Sequence, residues 1–197
     1  MKLVAGHPQG FSPEIPELIW SEDPELLQLE FQSFEKWHAI CAVEWPTTGA
    51  GNCHDATTLE LQNGKVCGFI NAFSWDEVEP CFAKTDALRG PSHLSDDTIA
   101  QMDSLFTSPA QNAFFVLDIS VAPSTQNIGL GAKLIAHAET LARAKNHTSL
   151  CLDARETNAA LGFYQHLGFT ISTRSHAPEL DAHNIKAYLH ITREITH

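Results

Sequence analysis

The sequence lacks any apolar run long enough to cross a membrane, and it has few cysteines. A membrane-spanning helix needs about 20 consecutive apolar residues, and no segment of the 197-residue chain is that apolar. The N-terminal segment, MKLVAGHPQGFSPEIP, has neither the apolar core nor the cleavage pattern of a signal peptide. The 5 cysteines include no Cys-x-x-Cys pair, which argues against a disulfide framework or a zinc ribbon. We therefore expect a cytoplasmic protein with buried free thiols.

Basic residues are also scarce. Lys and Arg number 12 against 24 Asp and Glu, which gives a formal net charge of -12 at pH 7. Such a field repels nucleic acid and anionic membranes and attracts cationic partners. The 11 histidines include no pair with the His-x-x-x-His spacing of a helical metal site. The composition thus argues against nucleic acid, membrane and metal as partners.

The remaining composition is that of an ordered globular protein. Hydrophobic residues make up 43% of the chain and charged residues 18%. The length suffices for one domain with a full core, and nothing demands two. We expect a single domain over residues 1–197 with an elaborated loop and helix insertion at about residues 76–113.

The most informative segment is 114–131, FFVLDISVAPSTQNIGLG, in which an apolar strand leads into a glycine-containing loop. Pro123 stops the strand, and a helix is predicted from Ala132. Gly129 and Gly131 let the backbone turn with no Cβ in the way of a ligand. The first N–H groups of the helix have no partner within it and can hold phosphate oxygens. The segment therefore predicts a pyrophosphate cradle.

The residues after this loop complete a strand–helix–strand unit. Apolar residues recur at helical spacing, and Ser149 to Asp153 indicates a short buried strand. A dinucleotide-binding fold would have Gly-x-Gly-x-x-Gly directly after its first strand. Leu134 stands where the third glycine should be, so the loop does not fit that fingerprint.

Two blocks carry a resemblance to the GNAT superfamily of N-acetyltransferases. The first is Asp118 to Pro123 followed by Gln126 to Gly131, which resembles the family's Gln/Arg-x-x-Gly-x-Gly/Ala loop after an Asp-Ile-x-Val-x-Pro strand. The second is the segment 157–169, TNAALGFYQHLGF, which resembles the family's last motif. In the second block we expect Thr157 to cap a short helix and Gly168 to end it in the left-handed conformation.

The resemblance implies an α/β fold with a mixed, mostly antiparallel central sheet flanked by helices, its strands splayed at an acetyl-CoA site. It implies acetyl-CoA as cosubstrate and no metal. The residues expected to contact the cofactor are Ile119, Val121, Gln126, Asn127, Ile128, Gly129, Leu130, Gly131, Ala132, Asn158 and Tyr164.

The sequence departs from the family pattern at two places. Asn127 and Ile128 stand where relatives usually place a Lys or Arg, so phosphate binding should rest mostly on backbone amides. Thr157 stands where relatives often have Asn, with Asn158 one step later.

For catalysis, Tyr164 resembles the family's general acid, because a phenol with a pKa near 10 stays protonated at neutral pH and can donate to a thiolate. The alternative is a helix tyrosine whose hydroxyl is simply in water. Asp118 is the candidate general base, since similar family members carry an acidic residue there. Glu156, Asp153 and water are the alternatives.

The resemblance implies an N-acetyltransferase that moves an acetyl group from acetyl-CoA to a primary amine by direct attack. The acidic composition favours a small cationic amine as the small-molecule substrate. The alternatives are a protein N-terminal or lysine acetyltransferase, and a catalytically silent CoA-binding sensor or docking module. The sequence leaves a homodimer open.

The rest of the chain gives coarser predictions. A first strand is expected at 18–20, and a helix starting at Ser21 and running to about Cys41. A hairpin is expected at the Asn63-Gly64 turn, and a helix capped by Ser95. Two closing strands are expected at 170–174 and 185–195. Acidic residues of the insertion are expected to attract the amine at the acceptor entrance, namely Asp76, Glu77, Glu79, Asp96 and Asp97.

Overall fold

A computed structural model describes residues 2–195, so the first residue and the last two of the expected 1–197 domain lie outside it. Its seven-stranded sheet has the order β1-β2-β3-β4-β5-β7-β6. Among these strands only β4 and β5 pair in parallel. The expected mixed, mostly antiparallel sheet is confirmed. The strands are Lys2–Ala5 (β1), Thr57–Gln62 (β2), Lys65–Ser74 (β3), Ala113–Val121 (β4), Ser149–Arg155 (β5), Thr170–Ser175 (β6) and Tyr188–Glu194 (β7).

Helices cover both faces of the sheet. Helix α6 packs against β3, β4 and β5 through its buried face, which includes Leu134, Ile135 and Ala138. On the other face, α1 packs against β3 and β4, and α2 and α3 pack with α1. The helices are Glu14–Glu22 (α1), Pro24–Phe31 (α2), Phe34–Glu44 (α3), Val78–Arg89 (α4), Asp96–Asp103 (α5), Leu130–Ala144 (α6) and Leu161–His166 (α7). Among the described residues, no helix is long and apolar enough to span a membrane.

The hairpin between β2 and β3 is confirmed. Asn63 and Gly64 join the strands with φ values of 53° and 80°. Two consecutive positive φ angles match the right-handed twist of the flanking strands, and Asn-Gly adopts them at low cost.

The predicted strand at 18–20 is wrong, because these residues lie in α1. The buried residues of this helix include Ile15, Leu18 and Ile19, which recur at helical spacing. The short apolar run therefore belongs to one face of an amphipathic helix. The first strand is β1, in the leader that gave no clear sequence signal.

The helix expected from Ser21 to about Cys41 is also wrong in its bounds. Asp23, and not Ser21, caps α2, since its side chain accepts the Leu26 N–H group at 3.3 Å. Gln32 then leaves the helical path with a φ of 66°, and α3 follows. The apolar pattern is continuous along the sequence. A single left-handed residue, Gln32, nevertheless divides it between two helices.

The insertion contains two helices. The cap by Ser95 is confirmed, because its hydroxyl accepts the Thr98 N–H group at 3.2 Å ahead of α5. The interpretation of the remainder as a loop is wrong for Val78–Arg89, which forms α4. Helix α5 packs against the short 3-10 helix between β6 and β7, at Pro178–His183.

The sheet opens between β4 and β5. These strands pair only where Ala113 to Phe115 face Ser149 to Cys151. The register of β4 against β3 also shifts between Asn71 and Ala72, which leaves Leu117 as the extra residue of a bulge. Beyond these points the later part of β4 lacks a partner on its β5 side, which creates the gap that holds the candidate site.

Candidate active site

A cavity of about 740 Å³ fills the gap between β4 and β5. Its walls come from the end of β4, the loop before α6, the end of β5, the start of α7 and the last turn of α1. The lining residues are Ser21, Glu22, Ile119, Ser120, Val121, Pro123, Thr125, Gln126, Asn127, Gly129, Leu130, Gly131, Ala132, Arg155, Thr157, Asn158, Ala159, Ala160, Phe163 and Tyr164.

The loop before α6 forms an amide cradle at one end of this cavity. Asn127 and Gly129 have φ values of 61° and 85°, which turn the chain sharply into the helix. Within the described residues, the N–H groups from Asn127 to Ala132 have no backbone acceptor. Unpaired N–H groups at a helix N-terminus favour anions. The geometry fits the pyrophosphate of a CoA molecule.

Lys133 does not supply a cation to this cradle. Its ammonium group bonds the buried carboxylate of Glu60 at 2.6 Å. An anion in the cradle would therefore be held mainly by backbone amides.

The segment before α7 differs in detail from the sequence expectation. The predicted cap by Thr157 is wrong, because α7 begins at Leu161. Instead the Asn158 side chain accepts the Ala160 N–H group at 2.8 Å and holds the turn that precedes the helix. Gly168 has a φ of 88°, as expected for the left-handed residue after the helix.

Tyr164 of α7 lines the cavity together with the last turn of α1. Its side chain is buried, and its ring packs against Phe163 and Phe169. Burial and the neighbouring carboxylates Glu22 and Asp118 raise the pKa of the Tyr164 phenol above its usual value of 10. The hydroxyl therefore stays protonated across the neutral range and can act as a proton donor.

Two carboxylates lie near Tyr164, on different elements. Glu22 is the last residue of α1, and Asp118 lies on β4. Burial, together with Glu44, raises the pKa of Asp118 to about 7, although its side chain keeps partial solvent contact. The recessed position of Glu22 and the charge of Asp118 likewise raise the pKa of Glu22 to about 7. Glu22 is nevertheless exposed to solvent in the open cavity.

The sequence-predicted site residues mostly converge on this cavity. Asp118 and Ile128 do not line it, and Ile128 is 60% exposed on the loop. The cavity also contains Glu22, Ser120 and Arg155, which sequence reasoning missed. The only signal for Glu22 was the acidic Ser-Glu-Asp-Pro run, which also fits a helix start.

The alternative base candidates are already paired. Asp153 bonds His190 at 3.0 Å, and Glu156 bonds Arg174 at 2.8 Å. Neither lines the cavity.

The acidic run that opens the insertion does not reach the cavity. Glu77 pairs with Lys145 at 3.3 Å, next to the C-terminal end of α6. The cradle lies at the other end of this 15-residue helix, about 22 Å away at 1.5 Å per residue. None of the five acidic residues of the insertion lines the cavity, and their attraction of the amine at the acceptor entrance stays a prediction.

A second, open groove of about 550 Å³ lies beside the α1–α2 turn. It is formed mainly by α2, with contributions from the insertion and from the 3-10 helix before β7. Its lining residues are Trp20, Pro24, Glu25, Gln28, Leu29, Gln32, His93 and His183. Arg155 connects the two sites, because it lines the cavity and pairs with Glu25 of the groove.

A model described as the acetyltransferase (GNAT) family matches residues 13–169. No sequence among the curated proteins matches this chain.

Solved structures share the fold at low sequence identity. An acetyltransferase is similar with a TM-score of 0.73 and 16% identity over 100% of both chains. An N-acetyltransferase from Staphylococcus aureus has a TM-score of 0.69 and 16% identity over 98% of this chain and 100% of its own. An IAA acetyltransferase from Bacillus cereus has a TM-score of 0.56 and 16% identity over 98% of this chain and 99% of its own.

Proposed function

The chain belongs to the acetyltransferase (GNAT) family and is an acetyltransferase, and from this premise we propose that it acetylates a small cationic primary amine. The family uses acetyl-CoA as its acetyl donor. The observation that carries the acceptor class is the presence of Glu22 and Asp118 beside Tyr164, both without an ion pair among residues 2–195. Two carboxylates without a paired cation attract an ammonium group.

The donor would enter from the side of the amide cradle. The amides from Asn127 to Ala132 would hold its pyrophosphate, and Gln126 would flank it. Ile119 and Val121 lie on the open edge of β4, where a backbone N–H can hold the thioester oxygen. Asn158 lies across the cavity and would contact the pantetheine arm.

The chemistry follows from the groups around the inner end of the cavity. Acetyl-CoA supplies the acetyl group as a thioester. The acceptor must lose a proton before its nitrogen can attack, and Asp118 contributes negative charge to the group of carboxylates that favours this loss. Tyr164 is protonated and donates to the departing thiolate. No acyl-enzyme is required.

The acceptor would approach along the groove beside the α1–α2 turn. Trp20 offers an aromatic surface that is suited to a second cationic group of the amine. The same groove favours a second candidate, a protein N-terminus or lysine, because its 550 Å³ exceeds the needs of a monoamine.

A CoA-release assay with a panel of acceptors tests the proposal. The panel contains a polyamine, an aminoglycoside, an amino-acid amide and a short peptide with a free N-terminus, with the corresponding alcohols as controls. We expect release that depends on a small cationic amine, with one acetyl group added to that amine by mass spectrometry. Release with the peptide alone would support the second candidate, and release without any amine dependence would contradict both.

A further inference from the structure

Six carboxylates on or beside α1, α2, α3, β4 and β5 can be divided into two groups by their partners. Most of them already bond a cation or another donor. Asp23 bonds Tyr188 and Arg155, Glu25 bonds Arg155, Asp153 bonds His190, and Glu44 bonds Arg89 and Asn52. Proton transfer from a substrate to any of these would break an existing interaction.

Glu22 and Asp118 form the second group. In the described part of the chain, neither makes an ion pair. Glu22 lines the cavity together with Tyr164, whereas Asp118 does not line it. Of these six carboxylates, only Glu22 both lacks an ion pair among residues 2–195 and lines the cavity.

The fold builds Glu22 into this position. Helix α1 packs against β4, and its last residue is Glu22. The helix ends there because Pro24 follows Asp23, and a residue before proline is disfavoured in the helical conformation. Ser120 of β4 lines the same cavity as Glu22, and its hydroxyl partly offsets the rise in the pKa of Glu22. Glu22 thus lies at a helix end that is held against the strand next to the splay.

We propose that Glu22, which lines the cavity together with Tyr164, accepts the proton of the acceptor ammonium group. This inference rests on the proposed function. The ammonium N–H bond breaks and a Glu22 O–H bond forms. The free amine then attacks the thioester carbon and the carbon–sulfur bond breaks. Tyr164 protonates the thiolate and recovers its proton from the new amide nitrogen, and Glu22 releases its proton to solvent.

The charges around Glu22 support this role. The recessed position of its carboxyl group, with the charges of Asp118 on β4 and Asp23 at the helix end, raises the pKa of Glu22 to about 7, against the lowering effect of Ser120. Tyr164 on α7 and Arg155 on β5 line the same cavity. A base is most effective when its pKa lies near the working pH.

The test compares Glu22→Gln with Glu17→Gln, the same change on the same helix at a position that does not line the cavity. We expect Glu22→Gln to lower kcat/KM for the amine by roughly 10²-fold while the acetyl-CoA-induced rise in Tm is kept. Glu17→Gln should match the parent. In the parent, kcat/KM should rise with pH through a limb near 7, and Glu22→Gln should lack this limb. An unchanged limb in Glu22→Gln would overturn the proposal.

Two further measurements separate a basic role from a structural one. Asp118→Asn should move the limb to lower pH, because it removes a charge that raises the pKa of Glu22. Carboxyl-carbon NMR of the parent and Glu22→Gln should identify a Glu22 signal that titrates near 7 without any acceptor. If no amine supports CoA release, the proposed function fails; if an amine does and Glu22→Gln keeps the parent pH dependence, only the role of Glu22 fails. A Glu22 signal titrating near the ordinary value of about 4.3 would overturn it.

Discussion

A Cβ atom on Gly131 would lie only 3.0 Å from the Cζ atom of Phe163, so the first turn of α6 packs directly against α7 at this glycine. Both residues line the cavity. Gly129 has a different requirement, since its surroundings are open and its φ is 85°. Gly131 is therefore required for close packing against Phe163, and Gly129 for a left-handed backbone conformation.

Alanine substitutions should separate these two requirements. Gly131→Ala should lower Tm and weaken acetyl-CoA binding, because Phe163 and α7 must move. Gly129→Ala should cost about 1–2 kcal/mol of folding free energy for its left-handed backbone. Gly162→Ala is the control, since this position on α7 has open space and alanine favours a helix. Thermal unfolding with and without acetyl-CoA measures these effects. Equal stability of Gly131→Ala and Gly162→Ala would contradict the packing argument.

Tyr164→Phe should lower kcat by roughly 10²-fold and leave acetyl-CoA affinity unchanged, because the ring keeps its contacts and only the proton donor is lost. The raised pKa of Tyr164 also predicts that the parent shows no loss of activity from this group below about pH 10. Steady-state kinetics across pH, with chemistry shown to be rate limiting, measures both effects. An undiminished kcat in the variant would exclude Tyr164 as the acid.

Asp118→Asn should change the pH dependence of stability. The folded pKa of about 7 lies above the ordinary value of 3.8. The stabilising contribution of protonated Asp118 to the free energy of unfolding is therefore fully present below pH 3.8. It is lost as the pH rises through 7. Asp118→Asn should raise Tm by a few degrees at pH 8 relative to the parent and have less effect at pH 5. Thermal unfolding at both pH values tests this. An equal loss of Tm at both would show that the carboxylate is ionised and stabilising.

Arg89→Ala should destabilise the fold strongly. Arg89 of α4 bonds Glu44 at 2.9 Å and Glu30 at 2.7 Å, and the Glu44 side chain is 0% exposed. Removing the guanidinium leaves a buried carboxylate without its cation, at a cost of about 3–5 kcal/mol. Lys145→Ala is the control, because its pair with Glu77 is half exposed and should contribute at most about 1 kcal/mol. Urea unfolding measures the free energy of unfolding of both variants against the parent. Similar losses in the two variants would show that Glu44 is neutral.

The contiguous motifs were predictable from the sequence. The Asn63-Gly64 hairpin is specified by two residues that readily adopt positive φ angles. The loop at 126–131 is specified by its glycines and by the helix that follows. In both cases the interactions that decide the structure lie within a few residues of one another.

The bounds of the N-terminal helices were less predictable. The apolar pattern from Leu26 to Cys41 continues through the break at Gln32, because side-chain periodicity does not report a single left-handed residue. Helix α4 was not predicted from the sequence. Its packing against α3 and the Arg89 ion pairs join it to distant parts of the chain, which a local pattern does not report.

The sequence by itself determined the strand–loop–helix cradle and the position of Tyr164 in a second motif. Only the tertiary structure decided that Glu22 meets Tyr164 and Ser120 at one cavity. The reason is physical: these residues lie on α1, α7 and β4, and their approach depends on how α1 packs against the sheet and how far β4 and β5 separate. Neither the packing nor the separation is encoded in any contiguous stretch of residues, because both result from burial of side chains contributed by distant parts of the chain.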